Sequence, residues 1–175
     1  MGCAPAVSPW VARFADLAAR GSTVLDVAAG AGRHTQLFLD RGHVVTAVDR
    51  DATALRTIAG AVVVEADIES GPWPLAGRSF DLVVVTNYLW RPRYPDILGA
   101  LAPGGVLLWE TFMEGQQHLG RPRNPDFLLQ PGELAAVAQE TGLTVLCFEQ
   151  GLLQDDPAAP AACRQRVCAR RPAAG

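Results

Sequence analysis

Two glycines and two carboxylates mark the stretch of this sequence best equipped for chemistry. An apolar, β-branched run, Thr23 to Val27, is interrupted by Asp26. It passes into the small residues Ala28 to Gly32, after which His34 to Arg41 carries Leu37 and Phe38 on one helical face. A helix start of this kind offers unpaired N–H groups and a partial positive charge, and glycines let a ligand lie against the backbone. A second apolar run, His43 to Val48, ends in Asp49, nineteen positions after Gly30. That is close to the roughly 20-residue spacing of an acid that binds ribose hydroxyls. The chemistry indicated is the binding of a nucleotide-like cofactor. The dinucleotide fingerprint fails, because Thr35 stands where a third glycine belongs.

Further along come Glu65-Ala66-Asp67-Ile68, then Phe80-Asp81-Leu82-Val83-Val84-Val85-Thr86-Asn87, then Leu101-Ala102-Pro103-Gly104-Gly105-Val106-Leu107-Leu108. In this order and spacing, the chain from about Val24 onward resembles the class I S-adenosylmethionine-dependent methyltransferases. In its short length it is similar to the small-molecule and tellurite-resistance-type members. The resemblance implies S-adenosylmethionine as cofactor, held by Ala28, Gly30, Gly32 and Arg33 of the loop, by Asp49 and Arg50 after strand two, and by Asp67 and Ile68 at the adenine. It implies that Asp26 shapes the loop at the methionine end and that Thr86, Asn87 and Tyr88 face the sulfonium and the substrate. Two departures stand out. Ala28 occupies a position that the family often gives to glycine. Thr86-Asn87-Tyr88-Leu89 lacks the prolines of the enzymes that methylate amino groups of DNA or of protein glutamine.

The elements that must position these residues follow from pattern. Ser8-Pro9 reads as a cap and first turn of a helix over 8–20, with Val11, Phe14 and Leu17 at helical spacing. Strands are expected at Thr23–Val27, His43–Val48, Ala61–Glu65, Phe80–Val85, Val106–Thr111, Leu143–Phe148 and Arg164–Arg170. Helices are expected at His34–Arg41, at Asp51 to Ile58, from Tyr94 to Leu101 and from Gly132 to Glu140. Alternation of strand and helix gives a mostly parallel sheet with helices on both faces, and the last two strands can pair as an antiparallel hairpin. The strand order 3-2-1-4-5-7-6 is what the resemblance adds to this Rossmann-like α/β expectation. Ligands then sit where strand order reverses, beyond strands one and four.

Composition bounds the rest. The chain has 175 residues, 49% of them apolar, and a net charge of −3 with no lysine among its bases. One domain spanning 1–175 is expected. No block of positive charge offers a grip on nucleic acid. Four cysteines, Cys3, Cys147, Cys163 and Cys168, follow neither metal nor disulfide spacing, so no metal site is expected. Met1-Gly2-Cys3 lacks the Ser or Thr at position 6 of a myristoylation signal. No secretory signal or membrane-length apolar run is present, and a cytoplasmic location is expected. Oligomeric state is not legible.

The expected reaction is transfer of a methyl group from S-adenosylmethionine to a small-molecule acceptor. Holding donor and acceptor in line is the main requirement, and a base is needed only for a protonated nucleophile. Tyr88, Glu110 and His118 are the candidates for such catalytic help. Tyr88, Trp90, Arg91 and Arg121 are the candidates for substrate contact, because arginines and aromatics beside the pocket suit an anionic or planar molecule. The polar insertion 113–130 is expected to form a substrate lid, packed down by Leu119, Phe127, Leu128 and Leu129. Simpler readings stand beside these. Asp49 can cap a helix, although Asp51 is better placed. Asp67 can close a plain turn, and Arg33, Glu110 and His118 can be surface or pairing residues. Two other functions stay open: a non-catalytic cofactor- or partner-binding protein of the same fold, and an NAD-dependent oxidoreductase.

Overall fold

The computed structural model describes residues 6–175. Cys3 and the Met1-Gly2-Cys3 reading lie outside the described residues. One seven-stranded sheet organises the chain: β1 (Thr23–Val27), β2 (Val44–Asp49), β3 (Val62–Glu65), β4 (Phe80–Thr86), β5 (Leu101–Phe112), β6 (Thr144–Leu153) and β7 (Ala162–Arg170). Their spatial order is β3-β2-β1-β4-β5-β7-β6, as expected. The first five strands pair in parallel, whereas β7 runs antiparallel to both β5 and β6.

Alternate side chains along each strand point to opposite faces, and each face carries its own apolar layer. On one, α1 (Pro9–Phe14) and α2 (Arg33–Asp40) bring Trp10, Val11 and Phe38 onto Val24, Val45, Leu82, Val84 and Leu108. On the other, α3 (Tyr94–Gly99) and α4 (Glu133–Glu140) bring Ile97, Leu98 and Leu134 onto Leu25, Val83, Val85, Leu107 and Trp109. Burying each such side chain contributes about 1.5–3 kcal/mol. At the other end of the sheet from the glycine loop, Thr23 and Asp81 lock β1 to β4. The Thr23 N–H and hydroxyl donate to Asp81 Oδ2, and the Asp81 N–H donates back to the hydroxyl.

Several elements differ in extent from their pattern. The first helix ends at Phe14 and tightens into a 3₁₀ turn over Ala15–Leu17, because Ala18 turns extended to lead the chain into β1. After β2 only a 3₁₀ turn forms, Leu55–Thr57, and Asp51 closes an Asx turn on the Thr53 N–H instead of capping a helix. A 3₁₀ turn, Arg91–Arg93, precedes α3. β5 begins at Leu101, so the Pro103-Gly104-Gly105 turn lies within it as a bulge between the pairs Phe80–Leu101 and Leu82–Val106. A Cβ on Gly105 would lie 2.8 Å from the Ala102 carbonyl oxygen, which is why the bulge takes glycine there. The terminal hairpin is longer than expected, with pairing from Thr144–Arg170 out to Leu153–Ala162.

The insertion is anchored at its root. Met113 bridges to Leu129, and the Leu129 N–H donates to the Phe112 carbonyl. Leu128 and Leu129 are buried, but Leu119 and Phe127 are not, contrary to expectation. Leu119 is exposed after the turn Gln116–His118, and Phe127, at the end of the turn Pro125–Phe127, lies partly exposed over the hollows beside the sheet. Buried Gln116 does the pinning instead: its amide donates to the Arg121 carbonyl and accepts from the Cys163 N–H of β7. No helix among the described residues is long and apolar enough to cross a membrane.

Candidate active site

The neighbours β1 and β4 feed connections that diverge in opposite directions, and a cleft of about 320 Å³ opens beyond their carboxyl ends. Asp49, the last residue of β2, forms one wall with Arg50 and Ala28. Asp67 and Ile68, just past β3, form the other, and Tyr88 and Phe127 close it. Asp49, Arg50, Asp67 and Ile68, all expected to hold a cofactor, therefore meet there with Ala28 of the glycine loop.

Asp49 has two oxygens at work. Oδ2 accepts from the Gly30 N–H at 2.7 Å, and Oδ1 accepts from the Asp51 N–H at 3.0 Å. A carboxylate has further lone pairs, so both oxygens keep acceptor capacity toward the cleft. Asp67 closes its own turn, accepting from the N–H groups of Glu69 and Ser70 and from the Ser70 hydroxyl. Those bonds hold its carboxyl below the ordinary range. The capping and ligand-facing readings of the two acids are therefore compatible. Ile68 is buried and offers an apolar surface.

The glycine loop is conformationally unusual. Gly30 and Gly32 have φ of +56° and +78°, and Ala28 itself sits at φ +52°. Such a conformation costs an L-residue about 1–2 kcal/mol. Nothing lies within 4 Å of a Cβ built on Gly30, so the loop leaves open space on that side. A Cβ on Gly32 would meet Ile58 at 2.3 Å, so that glycine serves packing.

Beneath the loop, Asp26 is buried and accepts a 2.7 Å bond from the Thr35 hydroxyl of α2. Burial pushes its carboxyl up to about 6, against the Thr35 bonds that pull it down. His34 is also buried. Its Nε2 accepts from the Ser8 N–H at 3.1 Å, which leaves the proton on Nδ1, 3.4 Å from the Thr86 hydroxyl. Burial, reinforced by Arg33, lowers this imidazole to about 3, so it is neutral. His34 thus ties the first helix, α2 and the end of β4 together. Sequence reasoning did not single out Ser8 or His34 for this role.

A second hollow of about 260 Å³ shares Glu69, Tyr88 and Phe127 with the cleft. Asn87, Thr111, Phe112 and Pro122 line its far side. Asn87 takes φ +54°, which asparagine tolerates. The Tyr88 hydroxyl is buried without a hydrogen-bond partner among the described residues, and burial raises its pKa, so it stays protonated.

Other candidates are placed elsewhere. Glu110 is buried 3.0 Å from Arg166 Nε, as a pairing carboxylate. His118 is exposed beside Gln117 and lines neither hollow. Arg91 is spent on structure: it pairs with Glu133 and donates to the carbonyls of Asp126 and Leu128, fastening the insertion. Trp90 precedes that turn and lines neither hollow. Arg33 opens α2, and Arg121 borders an outer depression with Phe112 and Phe127. Arg164 was not foreseen. Its Nη1 donates to Asn87 Oδ1 at 2.7 Å, and its guanidinium stands 4.1 Å over the Phe112 ring. Two arginines alternating on β7, Arg164 and Arg166, mark the position in sequence but do not name Asn87 as a partner.

Comparison with known proteins bears on the fold that carries this site. The model of the methyltransferase domain family matches residues 24–105. No curated protein sequence matches the chain. Among solved structures, TehB from Haemophilus influenzae is 19% identical with a TM-score of 0.73, over 94% of this chain and 62% of its own. The 1,6-didemethyltoxoflavin-N1-methyltransferase of Burkholderia thailandensis, solved with 1,6-didemethyltoxoflavin and S-adenosylhomocysteine, is 21% identical with a TM-score of 0.69, over 94% of this chain and 77% of its own. An S-adenosylmethionine-dependent methyltransferase of Methanosarcina mazei is 14% identical with a TM-score of 0.71, over 97% of this chain and 100% of its own. Residues 24–105 thus match the methyltransferase domain model, and the chain has the fold of the S-adenosylmethionine-dependent methyltransferases.

Proposed function

We propose that the protein transfers a methyl group from S-adenosylmethionine to a small-molecule acceptor. The observation that carries this is the convergence of Asp49, Asp67, Ile68 and the glycine loop on one cleft at the reversal of strand order. The residues fit the cofactor: Asp49 has lone pairs for two ribose hydroxyls, Asp67 and Ile68 offer a carboxylate and an apolar face to adenine, and Gly30 leaves room along the backbone. When bound, the cofactor supplies an electrophilic methyl carbon, which the acceptor's nucleophilic atom takes as the carbon–sulfur bond breaks and its electron pair stays on sulfur.

The chain's contribution is position. Tyr88 stands where cleft and second hollow meet, and with its hydroxyl buried and protonated it offers the acceptor a neutral wall. Phe127 of the insertion closes both spaces and excludes water. Glu110 is committed to Arg166 and His118 lies apart, so neither serves as base in this reading. Calorimetry with S-adenosylhomocysteine, followed by transfer of labelled methyl across an acceptor panel, tests it. Saturable binding with turnover is expected. Absence of binding overturns the proposal, and binding without turnover of any acceptor favours a non-catalytic binding protein.

A further inference from the structure

Arginine is the only basic residue type besides histidine. Arg13, Arg41, Arg56, Arg91, Arg93 and Arg166 form ion pairs with carboxylates. Arg164 and Arg166, two residues apart on β7, point to the same face. Arg166 gathers three acids, Glu110, Glu149 and Asp155. Arg164 has none within ion-pair distance among the described residues, because its acidic neighbours Glu110 and Asp155 are taken by Arg166. Its contacts are the Asn87 amide oxygen and the Phe112 ring, both on the wall of the second hollow.

We infer that the acceptor is a planar anion, an aromatic carboxylate, whose acid group is held by Arg164 and whose ring lies among Tyr88, Phe112 and Phe127. This rests on the methyltransferase reading of the neighbouring cleft. The hollow, about 260 Å³, has those three rings among its lining residues, with the Glu69 carboxylate at the border it shares with the cleft and Arg164 behind Asn87 and Phe112. Asn87 accepts from Arg164 through Oδ1, which leaves its Nδ2 as a second donor beside the guanidinium. A guanidinium fork matches a carboxylate's two oxygens. Partial burial lowers the Arg164 pKa, and a cation drawn out of water without a counter-ion gains from an arriving anion. Arg121 and Arg123, also without ion pairs among the described residues, border the outer depression that shares Phe112 and Phe127 and keep the approach positive. Arg91, expected to meet the substrate, and its neighbour Arg93 are engaged. Arg93 pairs with Asp96 and donates to the carbonyls of Ile68 and Gly71.

The test titrates the full chain, saturated with S-adenosylhomocysteine, with benzoate, benzamide and inorganic phosphate by calorimetry. Benzoate is expected to bind, with benzamide and phosphate each at least about tenfold weaker. Arg164→Gln is expected to weaken benzoate about tenfold or more, and Arg164→Lys less, while S-adenosylhomocysteine affinity stays within about threefold. That unchanged affinity also certifies folding. The Arg121→Gln, Arg123→Gln double variant, altered only at exposed positions, is expected to weaken benzoate about twofold and flatten its salt dependence. Equal binding of benzoate and benzamide, phosphate binding as tightly as benzoate, no benzoate binding, or full benzoate affinity in Arg164→Gln overturns the inference. Failure of S-adenosylhomocysteine to bind instead overturns the methyltransferase reading. Benzoate titrated into the free protein then still decides whether Arg164 holds a carboxylate.

Discussion

On the cofactor side of the cleft, Asp49 and Asp67 stand at or just beyond the ends of the neighbouring strands β2 and β3 and come from one stretch of chain. On the side of the second hollow, the walls come from the segment that follows β4, from the end of β5 and from the insertion, with Glu69 at the border shared with the cleft and Arg164 of β7 behind Asn87 and Phe112. The first side is the product of a local motif repeated along a parallel sheet. The second is assembled from segments as far apart as Asn87 and Arg164. Topology therefore sets the cofactor side, whereas the far side is free to vary with whatever fills it.

The strongest challenge to this contrast is Gly30→Val. A branched residue at φ +56° is strained, and its side chain would take the open space beside the loop. Binding of S-adenosylhomocysteine is expected to vanish in calorimetry, with a folded circular dichroism spectrum retained. Wild-type affinity would reduce the loop to a turn. The converse experiment replaces Gly115 to Asp126 with a short Gly-Ser link, which removes Gln116 and its hold on β7. Turnover of a found acceptor should fall about 100-fold or more while cofactor affinity is spared, since closure over the reacting centre is lost. Turnover near the wild-type rate would show that the insertion has no part in the reaction.

Asp49→Ala probes the contrast from the cofactor side alone. Hydrogen bonds to a charged group contribute about 1.5–3 kcal/mol each, so S-adenosylhomocysteine should bind roughly 10- to 100-fold more weakly. Benzoate affinity of the cofactor-free protein should not move. A matching loss of both would mean that the two sides are one site.

A smaller effect tests the buried layer beneath them. The unfolded His34 titrates near 6.5 and the folded one near 3, so the unfolded chain takes up a proton that the folded chain refuses. The contribution of His34 is full above pH 6.5 and is lost as pH falls toward 3. Asp26 has the opposite sign: raised to about 6 from 3.8, its contribution is full at low pH and is lost as pH rises through 6. Between about pH 6.5 and about pH 5 the first loses about 2 kcal/mol and the second returns about 1 kcal/mol. Urea unfolding should therefore show His34→Gln less acid-sensitive than wild type and Asp26→Asn more so. Identical slopes would refute the assignment. Smallest of all, Ala28→Gly should raise stability by about 1 kcal/mol by relieving the left-handed backbone.

Much of this was legible because hydrophobic patterning is a local signal. The five parallel strands, the glycine loop and the acids at strand ends read directly from apolar runs such as Leu82 to Val85 and from the small or charged residues that end them. Boundaries failed where tertiary contacts decide them. Ala18 ends the first helix by turning toward β1, and β5 begins early because Leu101 pairs with Phe80. The far side of the site was illegible for the same reason. Nothing near Arg164 in sequence names Asn87 as its partner, and nothing near Arg91 distinguishes a fastening arginine from a substrate-binding one.

The double use of Asp49 has a kinetic consequence. Its two oxygens are already fixed by the Gly30 and Asp51 N–H groups before any ligand arrives. A ligand docking on this carboxylate freezes no side-chain rotor and waits for no loop to rearrange. Its association rate should therefore follow solvent viscosity, as a diffusive encounter does, and differences in affinity among cofactor analogues should show up in how long they stay.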